Sequence, residues 1–271
     1  MQPFKNSPFA YGAGAGVARS EVQVDQGLRA FMLGVYNNMT IGLAISALVA
    51  LGVNKLAIAA SAAEAYRNAA GAPVRMGGQY LTQFGHTLYG TPLMWVVALA
   101  PLAFIFFFSF RMDRMSAATA RTTFFAFAAV MGASLSTLLI RYTGASVVQV
   151  FFITAASFGA LSLWGYTTKR SLSGMGSFLI MGLIGLMIAS IVNIFLASSA
   201  LQFAISGIGV LIFAGLTAYD TQKLKEMYLY ELGTPDGEVA AKASIFGALT
   251  LYLDFINMFQ FLLALFGNRN E

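Results

Sequence analysis

The chain has 271 residues, 58% of them hydrophobic and only 10% charged, with a net charge of +5 and a mean hydropathy of +0.72. Soluble domains carry roughly 25% charged residues, and no soluble fold of this size has interior enough to hide so much apolar surface. The composition therefore specifies a polytopic membrane protein. With no cysteine there is no disulfide, thiolate nucleophile or cysteine-ligated metal, and a single histidine, His86, excludes a multi-histidine metal site.

In chain order, the first 30 residues lack the apolar core of a signal peptide, so the first membrane helix is expected to direct insertion. They read as a cytoplasmic tail, and the Gly-rich YGAGAGVA within them leads into no P-loop lysine. Seven apolar segments approach the ~20 residues of a membrane span. They lie near 31–53, 92–110, 122–140, 147–167, 176–197, 202–222 and 244–266. The fold class expected is an all-α membrane protein with seven transmembrane helices, in one domain over 31–267, followed by a short tail at 268–271. A long loop, 55–91, reads as a partly helical surface excursion, and Pro101 inside the second segment is expected to kink it.

Lysine and arginine set the orientation. With the N-terminus in the cytoplasm, the inside segments hold Lys5, Arg19, Arg29, Arg111, Arg114, Arg121, Lys169, Arg170, Lys223, Lys225 and Lys242. The outside holds Lys55, Arg67, Arg75, Arg141 and Arg269. That bias of eleven to five places the N-terminus in and the C-terminus out. Basic residues spread over short loops report orientation, so no nucleic-acid partner is expected.

Two acids lie at membrane depth: Asp220, in AYDTQKLK, and Asp254, inside LTLYLDFINMFQFLLALFG. A mid-helix aspartate costs about 2.5–3.5 kcal/mol on insertion, so each is a functional candidate by default. The two helices are antiparallel neighbours, and their carboxyls can face each other. Two such groups forced together in a low dielectric titrate as one unit, with a single shared proton. When ionised they offer oxygen ligands to a divalent cation. Depth argues against the pairing: Asp220 lies one turn from Lys223, whereas Asp254 lies about 18 Å beyond Lys242 at ~1.5 Å per residue. The pair forms only if the sixth segment continues as helix past Lys223 or the seventh starts well inside the cytoplasm. The plainer readings are a headgroup-level acid for Asp220 and, for Asp254, a structural acid satisfied by hydroxyls. Thr250 and Asn257 share the face of Asp254, and Gln260 extends the stripe, so these three either support the acid or line a polar path. Asn193, in the fifth segment, reads as mid-membrane and able to bond across helices.

AYDTQKLK at 218–225 and LYLDFINMF at 251–259 resemble the two signatures of the Bax inhibitor family, also called the transmembrane Bax-inhibitor-motif family. ASFGALSLWGYTTKRSLSG at 156–174 and SIVNIF around Asn193 are similar to its bacterial inner-membrane branch, and the likeness extends from about residue 28 to 267. The resemblance implies six helices around a central C-terminal one and a pH-dependent calcium leak through the bacterial inner membrane. It implies that Asp220 and Asp254 pair at the cytoplasmic side of the pore as gate, pH sensor and transient Ca2+ contact, and that Arg111 latches them. It implies no resident cofactor, only passing Ca2+ and H+. An acid that some members carry in the second helix is missing from TPLMWVVALAPLAFIFFFSF.

Two other functions compete. A regulatory protein that binds a membrane protease or another membrane partner would conduct nothing. An intramembrane aspartyl protease also needs an acid on each of two helices, but its second acid is glycine-flanked, whereas Leu253 and Phe255 flank Asp254. The protein is therefore not expected to be an enzyme.

Overall fold

A computed structural model describes residues 10–111, 114–232 and 237–270. Lys5 lies outside the described residues, as does most of the polar connection at 233–236. The described chain is nearly all helix: α1 (Ala10–Ala57), α2 (Gln83–Tyr89), α3 (Leu93–Arg111), α4 (Ala117–Arg141), α5 (Gly144–Thr167), α6 (Ser173–Leu196), α7 (Ser199–Glu226) and α8 (Gly237–Phe266). A π-helical turn, Met227–Leu232, continues α7. Most helices outrun the apolar segments because hydroxyl caps, not the hydrocarbon boundary, end them. Ser116, Thr143 and Ser198 each accept a hydrogen bond from the backbone N–H three residues on.

Among the described residues, six helices are long and apolar enough to cross a membrane. A seventh crossing exists if α2 and α3, which meet at 62°, form one bent span. The bend falls at Gly90–Pro92, while α3 runs on through Pro101 as one helix. The sharp bend thus lies in the turn before the helix, and Pro101 does not interrupt α3.

Helix α8 is the hub. It packs against α1, α4, α5 and α7, and 56% of its most apolar window is buried, against 17% for α6. Around it the core is aromatic: Tyr252 is fully buried, with Phe124 and Phe127 edge-on at 5.7 and 5.8 Å, and Phe255 meets Phe151 and Phe158 at 5.6 Å. Helix α3 leans on α4, and α6 on α7. The Tyr252 hydroxyl bonds Ser46 at 2.6 Å, and Ser46 donates to the Ala128 carbonyl at 2.7 Å, tying α8, α1 and α4 together. Close approach of α1 to α4 requires Gly132, since a Cβ there would collide with the Ser46 backbone.

The 55–91 loop is a small folded cap. Its two-residue strands, β1 (Arg75–Met76) and β2 (Gln79–Tyr80), pair antiparallel across Gly77 and Gly78, which hold φ of +53° and +74°. A two-residue turn with both φ values positive suits glycine. Leu81, Tyr89 and Ala57 pack with Ile140 of α4 beneath it. Helix α2 supplies the helical part expected of this loop, and MGGQ is a hairpin turn.

Candidate functional site

Asp220 sits on α7 and Asp254 on α8, and their carboxyl groups lie within hydrogen-bonding reach of each other. The depth objection disappears because one of the two alternative conditions for the pairing, continuation of the sixth segment as helix past Lys223, is met. Helix α7 carries on past Lys223 to Glu226 and then into the π-helical turn, and α8 begins at Gly237, 17 residues before Asp254. With both helices running on past the basic markers, residues at unequal distances from those markers reach one level.

Asp254 is 5% exposed, on a stretch of α8 where Leu251, Phe255 and Met258 are buried as well, and its Oδ2 has no hydrogen-bond donor. Asp220 is half-buried and lies within the field of Lys223, one turn on. Two ionised carboxylates cannot stay in contact in so dry a place; a proton between them turns repulsion into a charge-assisted hydrogen bond. Beside the pair runs a hydroxyl chain that the sequence reading missed. The Tyr36 hydroxyl and Ser162 Oγ are 2.6 Å apart, and Ser162 Oγ is 2.9 Å from Thr221 Oγ1, which donates to the Thr217 carbonyl. This joins α1 and α5 to α7 next to Asp220. Its mark in the sequence is Thr217 and Thr221, one helical turn apart, with Asp220 directly before Thr221.

A sequence profile of the family described as "Inhibitor of apoptosis-promoting Bax1" matches residues 28–271. The chain belongs to the Bax inhibitor family. A Caulobacter vibrioides protein of unstated function is 48% identical over 253 residues, 93% of this chain and 94% of its own. The Escherichia coli K12 "Inner membrane protein YbhL" is 43% identical over 253 residues, 92% of this chain and 96% of its own. A Rickettsia prowazekii protein, RP147, is 42% identical over 247 residues, 91% of this chain and 93% of its own. Together with its membrane-length helices, this makes the chain a multi-pass protein embedded in the bilayer.

Within this Bax inhibitor fold the other expected site residues are placed differently. The Arg111 side chain is exposed, with its guanidinium 5.8 Å from the ring centroid of Phe107 on the same helix, and it does not figure among the partners of either aspartate. Helix α3 packs on α4. Thr250 Oγ1 bonds the Phe246 carbonyl and Asn257 Nδ2 the Leu253 carbonyl, so both serve their own helix and not Asp254. Gln260 is half-buried one turn further along. Asn193 is not mid-membrane: it lies in the last turn of α6, accepts from Ser198 N–H and donates to Gln202 Oε1. It fastens the α6–α7 turn, where Ala197 takes a left-handed conformation with φ of +48°.

No group of three or more His, Cys, Asp or Glu residues gathers among the described residues. Calcium prefers six to eight oxygens, and two carboxylates offer four. Such a donor set suits brief contact with a passing cation better than permanent retention.

Proposed function

We propose that this protein is a pH-sensitive, calcium-permeable leak of the bacterial inner membrane, gated by the contact between Asp220 and Asp254. In this reading α2 and α3 form the seventh crossing, α8 is the central helix, the N-terminus is cytoplasmic and the C-terminus outside. Given seven crossings, the eleven-to-five distribution of lysine and arginine supports a cytoplasmic N-terminus. The similarity to an inner membrane protein supports the compartment. The observation that carries the reading is the carboxyl pair itself: two acids 34 residues apart, brought within bonding reach inside a helical bundle.

The closed state is the singly protonated pair. One proton bridges the two carboxyls, and the remaining negative charge is offset by Lys223. Acidification adds a second proton. The charge-assisted bond then becomes a neutral one of roughly half the strength, the attraction to Lys223 is lost, and α7 and α8 can part. Flux therefore rises as pH falls. A passing Ca2+ displaces the protons of the pair into the pore water, takes carboxylate oxygens in turn, and leaves them to be protonated again, so calcium is cargo and no bond of a substrate is broken.

Calcium entry into proteoliposomes, followed between about pH 6 and about pH 8, tests this, because the pair should titrate as a unit. The parent should conduct more at the acid end. Asp254→Asn keeps a neutral hydrogen-bonding partner for Asp220 and should show one rate throughout. Flux identical to the parent at every pH would overturn the gate. No flux from the parent at any pH would leave a protein that works by binding partners.

A further inference from the structure

Helices α1 and α5 both rest on α8, and between them an apolar groove stays unfilled. Its first part is a cavity of about 580 Å³ that runs from Arg29 and Tyr166 past Tyr36 and Gly159 to Leu43 and Phe255. A second cavity of about 480 Å³ shares Leu43, Phe151 and Phe255 with the first and continues towards Gly144 and Val147. The first lies within the range of roughly 300–1,000 Å³ that holds a small ligand. From Arg29 to Leu43 the groove follows about 21 Å of helix at ~1.5 Å per residue, somewhat more than the ~15 Å of one hydrocarbon leaflet. The rims bear bare apolar side chains, among them Leu33, Phe152 and Leu163, so bilayer hydrocarbon is what meets them.

The mouth has the opposite character. Arg29 is exposed there, and the Tyr166 ring beside it carries Lys225 Nζ at 5.4 Å from its centroid. Lys225 spends one of its three donors on the Tyr166 carbonyl at 2.9 Å. A slot for hydrocarbon thus ends at two cations at headgroup level. We propose that the groove binds one acyl chain of an anionic phospholipid, with its phosphate held by Arg29 and Lys225. The chain would lie against Tyr36, whose hydroxyl leads through Ser162 to Thr221 beside Asp220, and against Phe255 beside Asp254. The binding claim rests on the groove alone, so its failure would leave the leak reading standing.

Gly159 offers a clean probe, because a Cβ built on it meets nothing within 4 Å. Gly159→Leu should fill the slot without displacing protein atoms, and Ala155→Leu, one turn away, fills it independently. Gly174→Leu, equally open but at the start of α6, is the control. The probe is phosphatidylglycerol, titrated onto detergent-purified full-length protein and counted by native mass spectrometry, with phosphatidylcholine as the zwitterionic comparison. The parent and Gly174→Leu should retain one phosphatidylglycerol per chain. Both filling variants should bind it about tenfold more weakly, the equivalent of roughly 1.4 kcal/mol. Arg29→Gln should still bind lipid but should no longer prefer the anionic headgroup. The proposal fails if either filling variant, folded as judged by its melting temperature, holds phosphatidylglycerol like the parent. It fails equally if the parent binds both lipids alike.

Discussion

Asp254 and Tyr252 stand two residues apart on α8 and point to opposite sides of it, and they show two ways of keeping a polar group in an apolar bundle. The Tyr252 hydroxyl is fully satisfied through Ser46, which in turn reaches the Ala128 carbonyl. Removing only that hydroxyl, as in Tyr252→Phe, should cost about 0.6–1.7 kcal/mol, the range for interhelical hydrogen bonds in membranes. Tyr252→Ala also empties the space between Phe124 and Phe127 and should cost about 3–5 kcal/mol. Thermal unfolding in detergent distinguishes the two. Asp254 has no such completeness: Oδ2 lacks a donor and its neighbour is another acid. Its structural alternative, satisfaction by hydroxyls on its own helix, is not what the bundle provides, since Thr250 and Asn257 turn back to their own backbone. Asp220→Asn should remove the pH response of calcium flux as fully as Asp254→Asn, because one titrating partner is missing in either case.

Among the helices, small residues decide where close packing is possible. Gly132→Ala would push a Cβ into the Ser46 backbone of α1 and should destabilise by about 1–3 kcal/mol, as overpacking does. Gly52→Ala, within α1 but facing open space, should instead stabilise by about 0.4–1 kcal/mol by restricting the unfolded chain. A melting series with the two changes therefore shifts in opposite directions. Helix α3 offers a sharper contrast with expectation. The resemblance assigns Arg111 the role of a latch, yet the residue lies against Phe107 and in the open. Arg111→Gln should leave the pH profile of flux unaltered; a profile displaced from the parent's would restore the latch.

For the whole molecule the question is which way the bundle sits in the bilayer. The chain has no cysteine, so single cysteines report without background. Ala69→Cys, exposed in the cap, should react with a membrane-impermeant thiol reagent added to intact cells or spheroplasts. Ala118→Cys, exposed at the start of α4, should react only in inverted vesicles. Labelling of both from one side would make α2 and α3 a re-entrant element and leave six crossings. The cap also matters at this scale. Gly77 lies so close to the Ile140 carbonyl that any side chain there would clash, which locks the hairpin onto the end of α4.

The sequence by itself determined the solvent, the apolar segments and the family, because hydropathy and the AYDTQKLK and LYLDFINMF signatures are local properties of the chain. It also supplied both acids of the pair. What it left open was whether they meet, and tertiary structure decided that through the lengths of α7 and α8, which charge markers mislocate because a helix need not stop at the membrane surface. The Tyr36–Ser162–Thr221 chain and the outward Arg111 were hidden for a related reason. In lipid the face towards the core and the face towards the tails are equally apolar, so periodicity carries little information about helix rotation. Only packing fixes which side chains converge.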